Sequence, residues 1–235
     1  MAQTAGITIK HTIFFLIFAN AINAQSTLID ADNPEIQKNY AQFLKLPAIE
    51  SDVVTGFDSV ITAWTDFYQI QLSDFRLEGK LSVDLSIPDD ASSLYYMEFD
   101  SLMCRENIPN LRDYSPDKSC YTDLLERSII EKKEDGFWHY EGSDDCQEIR
   151  FVDCEKQLNK MISFRGMSSI ADAIFWKDND TFCIVSFESD ECFRICIYDL
   201  KAKTETDYCY YPPEPLNVDR YYFLYNLQSK GVVTE

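Results

Sequence analysis

The chain has 235 residues, and its 46% hydrophobic and 14% aromatic content excludes a disordered polypeptide. Seven glycines and eight prolines exclude collagen-like and low-complexity readings. Forty acidic residues against 21 basic ones give a formal charge of −19, a field that repels nucleic-acid phosphates and anionic lipid and excludes DNA or RNA as a partner.

Lys10 precedes an almost wholly apolar run from Thr12 to Ala21, and small residues at Ala19, Ala21 and Ala24 close the segment. A short positive region, a short apolar region and a small-residue exit predict a secretory signal peptide over 1–24, cleaved near Ile22 or Gln25. The run is about ten residues, short of the ~20 that span a bilayer as a helix, so no transmembrane span is expected. Removing 24 of 235 residues leaves 211, with 20 basic and 40 acidic side chains. That length fits a single domain over 25–235, with 25–50 a helical N-terminal extension. The mature protein is expected to be secreted or periplasmic.

Asn33-Pro34-Glu35 is a helix start, and Ile36, Tyr40, Phe43 and Leu44 mark one helical face before Leu46-Pro47 stops it, which predicts a helix over 34–45. Phe57, Val60, Ile61 and Trp64 fit a second helical face. From Tyr68 the pattern alternates through Ile70 and Leu72, which reads as a half-exposed strand. Leu81, Val83, Leu85 and Ile87 alternate with polar residues and give the clearest strand signal, ended by the turn residues Pro88-Asp89-Asp90. A strand over 94–103 and a loop over 105–120 follow. Asp123 with Glu126 resembles a capped helix start, so 124–133 is expected to be helical. Strands are expected at 137–140, 148–153, 160–164, 171–177, 181–188, 192–199 and 205–211, and a closing helix over 219–228.

Eight cysteines in an exported chain suggest a disulfide framework: Cys104, Cys120, Cys146, Cys154, Cys183, Cys192, Cys196 and Cys209. If Ser189-Asp190 is a two-residue hairpin loop, opposed positions sum to 379 and Cys183 faces Cys196 at a bridgeable separation. A four-residue loop in the next hairpin would instead oppose Cys196 to Cys209. The expected pairing is 104–120, 146–154 and 183–196, leaving Cys192 with Cys209. A zinc site on Cys183, Cys192, Cys196 and Cys209 is the alternative use of the same sulfurs, ranked below disulfides in an oxidising compartment.

The run Asp172-Ala173-Ile174-Phe175-Trp176, the strand Phe182 to Phe187 and the segment Ile197-Tyr198-Asp199-Leu200-Lys201 resemble a C-terminal hairpin pattern of uncharacterised exported proteins of Bacteroidota. The resemblance spans 170–230. It implies export into a bacterial envelope or beyond and a sheet-rich body, and it supplies no functional residues. The Tyr-Asp-Leu hairpin also resembles the edge of a propeller blade.

Signals for catalysis are sparse. After the leader is removed, His139 is the only histidine, between Trp138 and Tyr140, with neither nucleophile nor orienting acid beside it in sequence. Asp178-Asn179-Asp180 lacks the glycine and distal glutamate of a Ca²⁺ loop and reads as a turn. Asn179-Asp180-Thr181 is a glycosylation sequon. Tyr208, Tyr210 and Tyr211 beside Pro212-Pro213 are the candidate binding surface. The expected fold is α+β, a predominantly antiparallel sheet with an N-terminal helix and short flanking helices; an all-β sandwich or partial propeller is the alternative. The expected function is a non-catalytic exported module, binding or structural, that contacts a protein or glycan without a cofactor or metal. The alternative is a carboxylate-dependent hydrolase, which requires a concave pocket holding two acids of raised pKa.

Overall fold

The computed structural model describes residues 34–92, 96–100, 111–125, 127–143, 146–166, 169–188, 192–213 and 221–234. Residues 1–24, where a signal peptide is expected, and Cys104 lie outside them. Among the described residues no helix is long and apolar enough to cross a membrane. The chain divides into two compact units, Met1–Lys45 and Leu46–Glu235.

The first unit contains helix α1 (Pro34–Phe43). Its last turn closes through Leu44 N–H donating to Tyr40 O at 3.0 Å, and the Tyr40 and Phe43 rings stack at 6.2 Å.

The second unit is dominated by antiparallel sheet with short helices, an α+β body. Helix α2 (Asp58–Tyr68) runs further than the expected helical face. Ile61, Trp64 and Tyr68 form one buried stripe, so helical periodicity overrides the apparent alternation beginning at Tyr68. Gln69 ends the helix in the left-handed conformation (φ 57°), and Leu72–Asp74 is a 3-10 turn rather than a strand.

Strand β1 (Arg76–Ser82) replaces the strand expected at 81–87. Asp84 breaks the run: its Oδ1 accepts both the Ser86 N–H at 3.0 Å and the Ser86 hydroxyl at 2.5 Å, a local turn that competes with extended pairing. Leu85 is therefore buried while Leu81 and Ile87 are exposed.

Strands β2 (Asp113–Tyr114) and β3 (Cys120–Asp123) precede β4 (Ser128–Lys132), which occupies the segment expected to be helical. Asp123 Oδ1 accepts the Leu125 N–H at 2.7 Å, but the turn it makes leads into a strand. Strand β4 pairs with β5 (Trp138–Ser143) across a link containing Gly136 at φ +84°. The remaining strands are β6 (Cys146–Asp153), β7 (Leu158–Gly166), β8 (Ser169–Trp176), β9 (Thr181–Glu188), β10 (Cys192–Asp199) and β11 (Thr204–Tyr210). Helix α3 (Tyr222–Ser229) and β12 (Val232–Thr234) follow.

Three sheets result: a five-stranded sheet β1-β11-β10-β9-β8, a four-stranded sheet β2-β3-β6-β7, and a three-stranded sheet β12-β5-β4 in which β12 runs parallel to β5. The five-stranded sheet is central. One face carries Cys183, Val185, Phe193, Ile195 and Tyr208 against α2 and Phe75. Trp64 is 0% exposed there, with rings of Tyr68, Phe75 and Phe193 about it at 5.9–6.0 Å. The opposite face carries Phe182, Ile184, Cys196 and Tyr198 against Ile149, Phe151 and Leu158 of the four-stranded sheet. A smaller core joins Leu111, Phe223, Leu227 and Val232 to the three-stranded sheet.

The β9–β10 register corrects the expected disulfides. Glu188 pairs with Cys192, so the link 189–191 has three residues, and opposed positions sum to 380. Cys183 then stands opposite Ile197, and Cys196 opposite Ile184. A shift of one residue sends a side chain to the other face, so these two sulfurs lie on opposite sides of the sheet. Cys196 opposes Asp207 on β11, and Cys209 opposes Arg194. Cys120, Cys146, Cys183, Cys192, Cys196 and Cys209 all carry reduced thiols. The pairs 104–120, 146–154, 183–196 and 192–209 are thus not formed, and four thiolates around one zinc ion are precluded by the position of Cys183.

Candidate functional site

Four turns converge at one end of the two large sheets: β2–β3, β6–β7, β8–β9 and β10–β11. They enclose a cleft of about 290 Å³, floored by Leu85, Phe151 and Leu200 and rimmed by Asp117, Asn179, Lys156 and Lys201. Each turn has a local cause. The Asp117 carboxylate accepts the Ser119 N–H at 3.0 Å and the hydroxyls of Ser115 and Ser119, both at 2.8 Å. These donors favour the charged form and hold Asp117 below the usual carboxylate range. Asp153 accepts the Lys156 N–H at 2.9 Å and its ammonium at 2.6 Å. Asp178 Oδ1 accepts the Asp180 N–H at 2.9 Å, which makes Asp178-Asn179-Asp180 a turn. Asn179 Oδ1 then accepts the Asp117 N–H at 3.1 Å and joins two of the turns. Asp117 and Asp153 are thus committed to holding backbone, Lys156 is tied to Asp153, and the apolar floor, Glu155, Asp180 and Lys201 also line the opening.

A second polar centre lies beneath α3. Between Ala171 and Ala173 strand β8 bulges, and the extra residue is Asp172. It is 0% exposed and accepts Trp64 Nε1–H at 2.9 Å, the Tyr68 hydroxyl at 3.1 Å and the Phe223 N–H at 3.1 Å. The Tyr68 oxygen accepts the Tyr222 N–H at 2.9 Å, so this pair satisfies the opening amides of α3. Burial nevertheless outweighs the three donors and pushes Asp172 up to about 7.

The third centre covers the β10–β11–β1 end of the central sheet, on the face opposite α2. Arg194 donates to Glu78 at 2.8 Å, to Glu188 at 3.1 Å and to Asp207. Arg165 adds a second bond to Glu188 at 3.0 Å. Cys209 Sγ donates to Glu78 Oε2 at 2.9 Å, and Cys196 Sγ to Asp207 Oδ1 at 3.4 Å. Burial pushes Asp207 up to about 6 although Arg194 pulls the other way. Glu78, Asp207 and Cys209 place three donor atoms within 4.8 Å of one another, a spacing suited to a metal. The Arg194 guanidinium already bridges both carboxylates and fills the cation's place. Arg165 Nε and Ser186 Oγ on this side are buried with no hydrogen-bond partner among the described residues.

Tyr208, Tyr210 and Tyr211 do not share one exposed face. Tyr208 is buried in the α2-side core. Tyr210 packs on Phe75 and Phe193 at 5.8 and 6.2 Å. Tyr211 points across to Glu78, its hydroxyl 3.4 Å from Oε1. Alternation along β11 separates the first two from the third. His139 bonds Asp135 at 2.9 Å in the β4–β5 link. No family model matches the chain, and no curated protein or solved structure matches it.

Proposed function

We propose that the protein is an exported, non-catalytic binding module that takes a protein segment or glycan in the turn-lined cleft. One observation carries the reading: Asp117 and Asp153 in the cleft hold turns, and the acids of raised pKa lie elsewhere. Asp172 sits under α3, and Asp207 and Glu205 belong to the central sheet. A carboxylate hydrolase asks for two such acids facing one concave pocket. A shallow opening with an apolar floor and a polar, mixed-charge rim suits recognition instead. The predicted leader and the acidic field are consistent with a soluble exported product.

The test is an amide-shift titration of ¹⁵N-labelled protein with neutral oligosaccharides and short basic peptides. Support is a set of shifts centred on Asp117, Asn179 and Lys201 that Lys201→Glu removes. Shifts centred elsewhere, or turnover of chromogenic glycosides or esters that survives repeated purification, would refute it. Export is tested by the intact mass of the protein from its native source, with a start near Ile22 or Gln25 expected.

A further inference from the structure

Aromatic side chains reach the surface where the C-terminal end of α2 meets the start of α3. The rings of Phe67, Tyr222 and Tyr225 touch one another: centroids lie 5.4 Å apart for Phe67 and Tyr222, 5.6 Å for Phe67 and Tyr225, and 5.5 Å for Tyr222 and Tyr225. Tyr222 is buried, whereas Tyr225 is 52% exposed, and Tyr221, packed on Phe187 at 6.3 Å, is 40% exposed. Tyr221 and Tyr225 are four residues apart, the spacing of neighbours along one helical face. The chain from Ala48 to Phe75 holds Glu50, Asp52, Asp58, Asp66 and Asp74 but no lysine or arginine, and α3 holds no charged residue. Bases on flanking segments are engaged elsewhere. Arg76 donates to the Ser73 and Phe75 carbonyls, Lys177 lies over the Phe57 ring at the far end of α2, and Lys230 bonds Asp113.

We propose that the surface formed by Phe67, Tyr221 and Tyr225 binds a quaternary trimethylammonium group carried by a small soluble compound, of which choline is the simplest probe. A cation held by a ring face lies within about 6 Å of the ring centroid. The 5.6 Å between the Phe67 and Tyr225 centroids lets one cation lie that close to both. The carboxylates of α2 and the formal charge of −19 add long-range attraction. The shell of the cation decides which kind fits. A lysine ammonium brings three N–H donors that must give up water, and ring faces offer them no oxygen acceptor. A trimethylammonium has no N–H, so its methyl groups rest on the rings without leaving a donor unpaired. The exposed residues of α2 beside Phe67 are Ser59, Thr62, Ala63 and Asp66, too polar to enter a bilayer, which favours a soluble carrier over a lipid head group.

This surface shares no residue with the turn-lined cleft, and neither the cleft reading nor export enters the inference.

¹⁵N-labelled full-length protein is titrated with choline chloride and, in parallel, with its uncharged isostere 3,3-dimethylbutan-1-ol, at constant ionic strength. Choline is expected to give saturable amide shifts centred on Phe67, Tyr221 and Tyr225, half-complete at about 1–10 mM, and the alcohol none. Tyr225→Phe keeps the ring and leaves the affinity unchanged, whereas Tyr225→Ala weakens it about fivefold. No saturable shift by about 100 mM choline, an equal response to the alcohol, shifts centred elsewhere, or undiminished affinity in Tyr225→Ala would overturn the proposal. Co-sedimentation with phosphatidylcholine vesicles that Tyr225→Ala abolishes would assign the group to a lipid and overturn the soluble carrier. Should Tyr225→Ala fail to fold, the comparison of choline with the alcohol on the wild-type chain decides alone.

Discussion

Replacing Asp172 by asparagine tests the energetics of the centre beneath α3. The carboxyl rises from 3.8 to about 7 on folding because burial disfavours its charge. An acid shifted upward stabilises the fold while protonated, and that stability is lost as pH rises through the folded-state value. The full swing is about 4 kcal/mol, present below pH ~4 and gone above pH ~7. About 2.6 kcal/mol of it falls between pH 5 and pH 8, a window clear of the isoelectric point near 4.4. A carboxamide cannot ionise, so Asp172→Asn loses this dependence; its single oxygen accepts from Trp64 Nε1 or from Phe223 N but not from both, a loss that is the same at every pH. Urea midpoints of both proteins across pH 5–8 measure the difference, and the shared contribution of Asp207 cancels. The variant's stability relative to wild type is expected to improve by roughly 2–3 kcal/mol from pH 5 to pH 8. Parallel curves would refute the claim that desolvation outweighs the three donors.

Arg194→Met leaves Glu78, Glu188 and Asp207 without their shared cation and is expected to destabilise by about 3–5 kcal/mol, read from urea unfolding. Ser186→Ala removes a buried hydroxyl that has no partner among the described residues, so it should be neutral or stabilising by up to ~1 kcal/mol, in contrast to a typical buried polar deletion. Gly56→Ala forces a side chain onto φ +93° and brings its Cβ to 2.8 Å from Lys177 Cγ. The Lys177 stem can move but the backbone cannot, so a loss of about 1 kcal/mol is expected, and Lys177→Ala should not rescue it.

The regular hairpins are legible in the sequence because alternation, β-branched residues and turn residues agree there: β9 and β10 fall where the pattern places them. The pattern misleads where two periodicities overlap or a short side chain captures the backbone. Tyr68 belongs both to a helical stripe and to an alternating run, and burial of Ile61, Trp64 and Tyr68 together decides for the helix. Asp84 ends an otherwise persuasive strand with two hydrogen bonds to Ser86. The cleft is not legible, since Asp117, Lys156, Asn179 and Lys201 meet only after two sheets pack and bring four distant turns together. The Arg194 centre does leave a signal in the chain. An arginine within Cys-Phe-Arg-Ile-Cys-Ile-Tyr, a strand otherwise apolar on both faces, must find buried acids on its neighbours, and Asp207 on the next strand is available.

The three-residue link 189–191 has a consequence for how this chain can drift. Its odd length decides which side of the central layer receives Arg194 and the sulfurs, and which receives Phe193 and Ile195. Deleting or inserting a single residue there would drive a guanidinium into the space beside Trp64 and expose Phe193 to carboxylates. Length changes at this corner should therefore be tolerated in steps of two, or in single steps only with a compensating bulge in β10. The rule can be read off any set of relatives by counting residues between two strands.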